Sequence, residues 1–239
     1  MAVPPQPPQG AAVRVSVIIP TINEAEGIGK VLDGIPPMQG LEVLVVDGNS
    51  TDGTQQIAEG RGARVITEPR KGYGRAYRTG FDQAQGTFIA TLDGDCTYPA
   101  ERIPALIAQL EAEHLDFITG DRLAQLRPEA MSGKHRLGNW LLSTTMRVLH
   151  RVKVHDSQSG MWVFRRSILA RIELTADGMP LSEEIKIECF KRPGIAAKEV
   201  PIDYRIREGE VKLASWADGK RNLLFLFSKR VRPIPKERR

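Results

Sequence analysis

Cysteine is nearly absent: Cys96 and Cys189 are the only two in 239 residues, and neither has a Cys-x-x-Cys partner. A disulfide framework is excluded, and a reducing compartment fits. The four histidines, His114, His135, His150 and His155, show no metal-ligand spacing. No run approaches the ~18 consecutive apolar residues of a membrane-spanning helix; Leu223 to Phe227 is far too short. No Gly-x-Gly-x-x-Gly follows the first apolar run, which argues against a dinucleotide-binding dehydrogenase, and no recognition-helix, zinc-finger or ribonucleoprotein pattern suggests nucleic acid. Residues 1–12 are rich in Pro and Gln without an apolar core, and read as a disordered tail, not a signal peptide. With 41% hydrophobic and 26% charged residues and no internal repeat, the remainder reads as one domain.

What is present is a strict alternation. Val13 to Ile19 is a β-branched run broken at Pro20-Thr21-Ile22-Asn23-Glu24, and Ile28, Val31, Leu32 and Ile35 then recur at helical spacing. Leu41 to Val46 delivers Asp47 into a Gly-Asn-Ser-Thr-Asp-Gly turn. A strand over 63–67, a helix over about 74–85 and a strand from Thr87 to Leu92 complete a βαβαβαβ run. This predicts an α/β domain with a mainly parallel central sheet flanked by helices. Asp93-Gly94-Asp95 then stands at the carboxyl end of a buried strand, where ligands collect in such sheets. Two hard carboxylates there suit Mg²⁺ or Mn²⁺ bridging a diphosphate, although the same pair also serves as a solvated turn. Arg70-Lys71-Gly72-Tyr73-Gly74-Arg75 combines cations with close-approach glycines at an expected helix start, which is anion-binding chemistry without the Walker ending.

Val-Ser-Val-Ile-Ile-Pro-Thr-Ile-Asn-Glu, Val-Val-Asp-Gly-Asn-Ser-Thr-Asp-Gly-Thr, the Arg70–Ala76 stretch and Leu-Asp-Gly-Asp, in that order, resemble the inverting family 2 glycosyltransferases of GT-A fold. The later stretches Thr119–Arg122, Asp156–Phe164 and Glu199–Arg205 are most similar to the polyprenyl-phosphate (dolichyl-phosphate) sugar synthases. The resemblance covers Val13 to about Leu213. It implies a metal-dependent, inverting transfer of a hexose or N-acetylhexosamine from a UDP- or GDP-sugar to a polyprenyl phosphate. It further implies donor contacts from Pro20, Thr21, Asn23, Glu24, Asp47, Lys71 and Gly94, and a Mg²⁺ or Mn²⁺ ion on Asp93 and Asp95. The family often has a second Asp where Gly48 stands, and a better metal ligand than Thr97. Asp52-Gly53 reads as turn and cap chemistry.

For the acceptor half the resemblance implies phosphate contacts from Arg122, Arg136, Arg205, Arg207 and Lys212, with Ser159 lining the sugar pocket; Arg122 and Arg205 are the expected catalytic arginines. Guanidinium forks suit a phosphate dianion. Glu183 and Glu184 stand where related enzymes that glycosylate a hydroxyl keep a general base, and equally well start a helix. A glycosyltransferase for a soluble hydroxyl acceptor is therefore an alternative, as is a non-catalytic nucleotide-sugar binding module. From Lys186 onward there are 15 Lys/Arg against 7 Asp/Glu. Residues 214–239 read as a basic amphipathic segment on a membrane surface, placing the protein peripherally on the cytoplasmic membrane face.

Overall fold

A computed structural model describes residues 13–209 and 215–231; the tail of residues 1–12, Lys212 and Arg232 lie outside them. The first half alternates as expected: β1 (Val15–Thr21), α1 (Ala25–Asp33), β2 (Leu41–Asp47), α2 (Thr54–Glu59), β3 (Arg64–Thr67), α3 (Tyr73–Gln83), β4 (Phe88–Thr91) and α4 (Ile103–Ala112). The second half adds β5 (Phe117–Asp121), α5 (Gly133–His150), β6 (Trp162–Arg165), α6 (Leu181–Lys191), β7 (Ala197–Pro201) and α7 (Ser215–Val231).

The seven strands form one sheet in the order β3-β2-β1-β4-β6-β5-β7, parallel except for β6, which runs antiparallel between β4 and β5. Both faces are covered, which is why β1 and β2 are almost continuously apolar. Val15, Val17 and Ile19 share one buried cluster with residues of α1 and α4, while Ile18 shares the other with Tyr77 and Phe81 of α3 and Leu181 and Ile185 of α6. The chain leaves β1 toward β2 on one side and returns to β4 on the other, so the sheet has a topological switch point there. Thr21 is level with Asp47 in the β1–β2 register, and β4 ends beside them. The carboxylates of Asp47, Asp93 and Asp95 therefore leave the sheet at one edge.

One strand differs from expectation. From the sequence, Val200 to Tyr204 reads as a strand, but β7 ends at Pro201, where its register with β5 ends at Asp121. Pairing with the neighbour overrides the local pattern. Tyr204 and the arginines after it thus belong to a loop at the site edge.

The described part of the basic C-terminal segment, α7, packs against the domain. Leu226 of α7 is fully buried with Leu142 and Met146 of α5 and Ile187 of α6, and the Leu226 carbonyl lies 3.0 Å from His150 Nε2. Lys229 also points inward, onto Glu184 Oε1 (3.0 Å) and Glu188 Oε1 (2.9 Å). Among the described residues no helix is long and apolar enough to cross a membrane.

Candidate active site

Asp93 and Asp95 are held differently. The Asp93 Oδ1 atom accepts hydrogen bonds from Tyr73 Oη (3.2 Å) and Tyr77 Oη (3.3 Å), one helical turn apart on α3. Burial, and then the Asp95 charge, push the Asp93 carboxyl up to about 7. Asp95 is 4% exposed, and its Oδ1 accepts from the Thr97 amide (3.1 Å) and hydroxyl (2.6 Å). Its Oδ2 accepts from Arg207 Nη1 at 2.6 Å, while Arg207 Nη2 donates to Glu24 Oε1 at 2.7 Å. The Arg207 loop is clipped down through its main chain: Arg205 N donates to Thr97 O (3.0 Å) and Glu208 N to Asp95 O (2.9 Å). An ion pair between Lys30 and Glu208 fastens its outer side.

These residues fit a Mg²⁺ or Mn²⁺ ion. The pocket already draws a cation, Arg207, between Asp95 and Glu24, and its donors are hard oxygens. Among the described residues no third His, Cys, Asp or Glu converges to make an all-protein cage. Mg²⁺ commonly sits on one or two carboxylates with phosphate oxygens and water completing the shell. Thr97 turns its hydroxyl to Asp95 and orients that carboxylate.

On the donor side, Asp47 is fully buried with every bond directed into its own loops. Oδ2 accepts from Thr21 Oγ1 (2.7 Å) and Ser50 Oγ (2.5 Å), and Oδ1 from Ser50 N (2.8 Å) and Gln55 Nε2 (2.6 Å). Thr21 and Asp47, expected to meet the nucleotide, are here the joint between the two donor loops. Asn23, at φ +52°, accepts from Thr51 N (2.8 Å) and takes part in the same joint. Asp52 accepts from Ala25 N and Thr54 N, as turn chemistry requires. Pro20 lies within β1, one residue before its end at Thr21, and Gly94 lies against Thr21 and Glu24, where an added Cβ would come within 3.1 Å of Thr21.

The glycine-rich loop is anchored by Glu68, which sequence reasoning missed. Its buried carboxylate accepts from Arg70, Thr79 and Arg75, and the Arg70 hydrogen bond above all holds it well below the usual range. Gly72 stands at φ +141°, and a Cβ there would lie 2.1 Å from Asp177 O. Lys71 is exposed on this loop, free to reach a ligand.

The acceptor side departs most from expectation. Arg122 is 7% exposed and its fork is closed on Asp156, with Nε to Oδ2 at 2.7 Å and Nη2 to Oδ1 at 2.9 Å. Burial alone would raise the Asp156 carboxyl, but Arg122 overrides it and holds it at about 2. Arg122 thus fixes the 156–160 loop and stacks over Tyr204, 5.1 Å from the ring centre, instead of offering its fork to a phosphate. Arg205 pairs with Glu101 and is half exposed; Arg136 is exposed at the start of α5. A cleft of about 490 Å³ opens at Arg205, lined by both charges, Arg127 and Arg205 with Glu129 and Asp203, and by Ala130, Tyr204 and Ile206.

Both candidate bases are fully buried. Glu184 accepts from Thr175 N (2.8 Å), Thr175 Oγ1 (2.9 Å), Ala176 N (2.8 Å) and Lys229 Nζ (3.0 Å), a structural anchor for the 175–178 loop and α7. Glu183 is fully buried; burial pushes its carboxyl well above the usual range although Gln158 and Lys186 oppose this. Lys186 is fully buried as well and donates to the carbonyls of Asp156 (2.8 Å) and Ser159 (2.9 Å). Burial lowers its ammonium to about 8. The Ser159 hydroxyl has no partner among the described residues.

The model of the family described as Glycosyl transferase family 2 matches residues 16–173, well over half of the chain. The chain belongs to glycosyl transferase family 2. It is 37% identical over 207 residues to the dolichyl-phosphate hexose transferase of Haloferax volcanii, covering 86% of this chain and 89% of that protein. It is 36% identical over 222 residues to the low-salt glycan biosynthesis hexosyltransferase Agl6 of the same organism, covering 90% of this chain. It spans only 54% of Agl6, and 62% of the Haloferax glycosyltransferase AglJ, so it covers little more than half of these longer relatives. Among solved structures, glucosyl-3-phosphoglycerate synthase from Mycobacterium tuberculosis, in complex with Mn²⁺, UDP-glucose and phosphoglyceric acid, superimposes with a TM-score of 0.74 at 22% identity. The match covers 94% of this chain and 81% of that one. That likeness shows the fold, and the expected GT-A architecture is borne out.

The family 2 model ends before α6, β7 and α7, which carry Lys186 and Asn222, while Glu68, Tyr73 and Tyr77 lie within it. Lys186 and Asn222 gave no motif signal. Tyr73 and Tyr77 did: their i, i+4 spacing places both hydroxyls on one helix face.

Proposed function

We propose that this family 2 enzyme transfers a hexose or N-acetylhexosamine, with inversion, from a UDP- or GDP-sugar to a polyprenyl phosphate. The observation that carries the choice of acceptor is the state of Glu183 and Glu184, one buried in a form that favours its proton and the other saturated with hydrogen bonds. An alcohol must lose a proton as it attacks, whereas a phosphate monoester with second pKa near 6 is largely dianionic at neutral pH. The name of the Haloferax dolichyl-phosphate hexose transferase, similar over nearly the full length of both chains, supports the same reading.

In this reading Asp93 and Asp95 hold the cation, and Lys71 meets the donor phosphates from the exposed loop. Bound there, Mg²⁺ or Mn²⁺ would neutralise charge on the departing nucleoside diphosphate; Mn²⁺ accompanies UDP-glucose in the mycobacterial synthase. A phosphate oxygen of the acceptor attacks the anomeric carbon from the face opposite the breaking C–O bond, and the nucleoside diphosphate leaves. Arg136 and Arg205, both reachable from solvent, receive the acceptor phosphate; Arg122 positions the pocket wall through Asp156.

A lipid acceptor requires docking on a bilayer. Leu137, Trp140, Leu141 and Val148 on α5, and Leu224, Phe227 and Val231 on α7, are exposed apolar side chains. Lys220, Arg221 and Arg230 stand among them, each contributing about 1 kcal/mol near an anionic surface. Lys229, Leu223 and Leu226, expected on that face, turn inward, and the Trp216 side chain lies outside the described residues. The direct test is incubation with a panel of nucleotide sugars and a short polyprenyl phosphate on anionic vesicles, with the product identified by mass. Absence of any glycosylated lipid phosphate across the panel would overturn the reading.

A further inference from the structure

The 156–160 loop is tied to the C-terminal helix by a single amide. Gln158 Oε1 accepts from Asn222 Nδ2 of α7 at 2.8 Å, while its own Nε2 donates to Glu183 Oε1 of α6 at 2.7 Å and to Ser157 Oγ at 3.0 Å. Asn222 is 3% exposed. Two buried atoms of this cluster, Asn222 Oδ1 and Glu183 Oε2, have no partner among the described residues. A buried polar side chain placed this way costs stability unless it organises something.

What it organises is adjacent to the reaction centre. The loop ends at Gly160, whose amide donates to Tyr98 Oη at 2.7 Å. A Cβ on Gly160 would lie 2.2 Å from Tyr73 Oη and 3.5 Å from Asp93 Oδ1. The backbone there forms the wall against which Tyr73 and Asp93 rest. Lys186 and Arg122 hold the loop at its carbonyls and at Asp156, and among the described residues only Gln158 links it to α7 by a side-chain hydrogen bond.

We propose that Asn222 is a positioning residue for sugar transfer, fixing Gln158 and through it the loop wall beside Asp93. The C-terminal helix is then part of the active-site scaffold, and not merely a surface element. This rests on the family 2 reaction taking place at Asp93 and is independent of the acceptor's identity.

The test is a double-mutant cycle with Asn222→Ala, Gln158→Ala and the pair. Hydrogen–deuterium exchange is the first readout. Asn222→Ala should speed exchange across residues 157–160 severalfold while β4 stays as protected as in wild type. The second readout is turnover. Each single variant should lose about tenfold in kcat, the scale of one hydrogen bond, with donor KM within twofold. The double variant should be no worse than Gln158→Ala. Unchanged loop exchange in folded Asn222→Ala overturns the proposal, as do faster exchange with wild-type kcat, or additive losses in the pair. If Asn222→Ala does not fold, Gln158→Ala with unchanged loop exchange overturns it equally. Should wild type turn over no donor at all, the functional reading has failed, and the exchange arm still decides whether Asn222 holds the loop.

Discussion

Arg207 donates to Asp95 at 2.6 Å although 112 residues separate them, and its second nitrogen reaches Glu24. The guanidinium therefore shares a carboxylate with the cation that the same pocket fits. Arg207→Ala should tighten Mn²⁺ binding in the absence of substrate by roughly tenfold, since a charge-assisted hydrogen bond no longer competes. Titration followed by electron paramagnetic resonance reads this directly. Unchanged affinity would show that Arg207 and the ion do not compete.

Asp93 gives that binding a pH dependence. Its carboxyl is raised to about 7 by burial and by Asp95, and only the ionised form is a good ligand. Mn²⁺ affinity should be full above pH 7 and fall as the pH drops through that value. Asp93→Asn should bind weakly at every pH, with the slope near pH 7 gone. A wild-type affinity flat between pH 6 and 8 would contradict the assignment.

Asp156 should carry acid stability. Its carboxyl is depressed to about 2 from 3.8, so the unfolded chain binds the proton more readily between those values. The contribution, about 2 kcal/mol, is fully present above pH 4 and is lost as the pH falls toward 2. Asp156→Asn also leaves Arg122 buried without its partner, a loss of about 3–5 kcal/mol at neutral pH. Urea unfolding of both proteins at pH 7 and at pH 3 should show the gap between them narrowing at the lower pH. An equal gap at both would show that the pair is not ionised as described.

Glu183→Gln and Glu184→Gln separate structural from chemical roles. General-base assistance is worth about 10²–10⁴-fold, so a base cannot be replaced by an amide without a loss of that size. Both variants should keep kcat within about tenfold, and Glu184→Gln should be the less stable, because Lys229 and two amides depend on that carboxylate. The profile of kcat against pH is the readout. A thousandfold loss rescued at high pH in either folded variant would restore the base role.

The fold of the first half was legible in the sequence because its signals are local. β-branched runs that give way to the loops after Thr21, Asp47 and Thr91 mark strand ends, and a parallel sheet brings those ends to one edge. The acceptor half depends on distant pairs. Arg122 meets Asp156 across 34 residues, Lys229 meets Glu184 across 45, and Arg207 meets Glu24 across 183. Periodicity has no access to these. The resemblance implies phosphate contacts for Arg122, Arg205 and Arg207, while the structure turns the first to Asp156, the second to Glu101 and the third to Asp95 and Glu24. The antiparallel β6 was equally hidden, since strand direction follows from the sheet and not from Trp162 to Arg165 themselves.

The most direct test of the account compares two acceptors that differ by one phosphate. Purified enzyme, the donor sugar it accepts and Mg²⁺ are incubated with a polyprenyl phosphate or with the corresponding polyprenol, in vesicles of the same composition, and initial rates are measured by mass. The account predicts a glycosylated polyprenyl phosphate and no product above background from the alcohol, because both candidate bases are fully buried. Comparable rates with the polyprenol, or transfer to the alcohol alone, would contradict it.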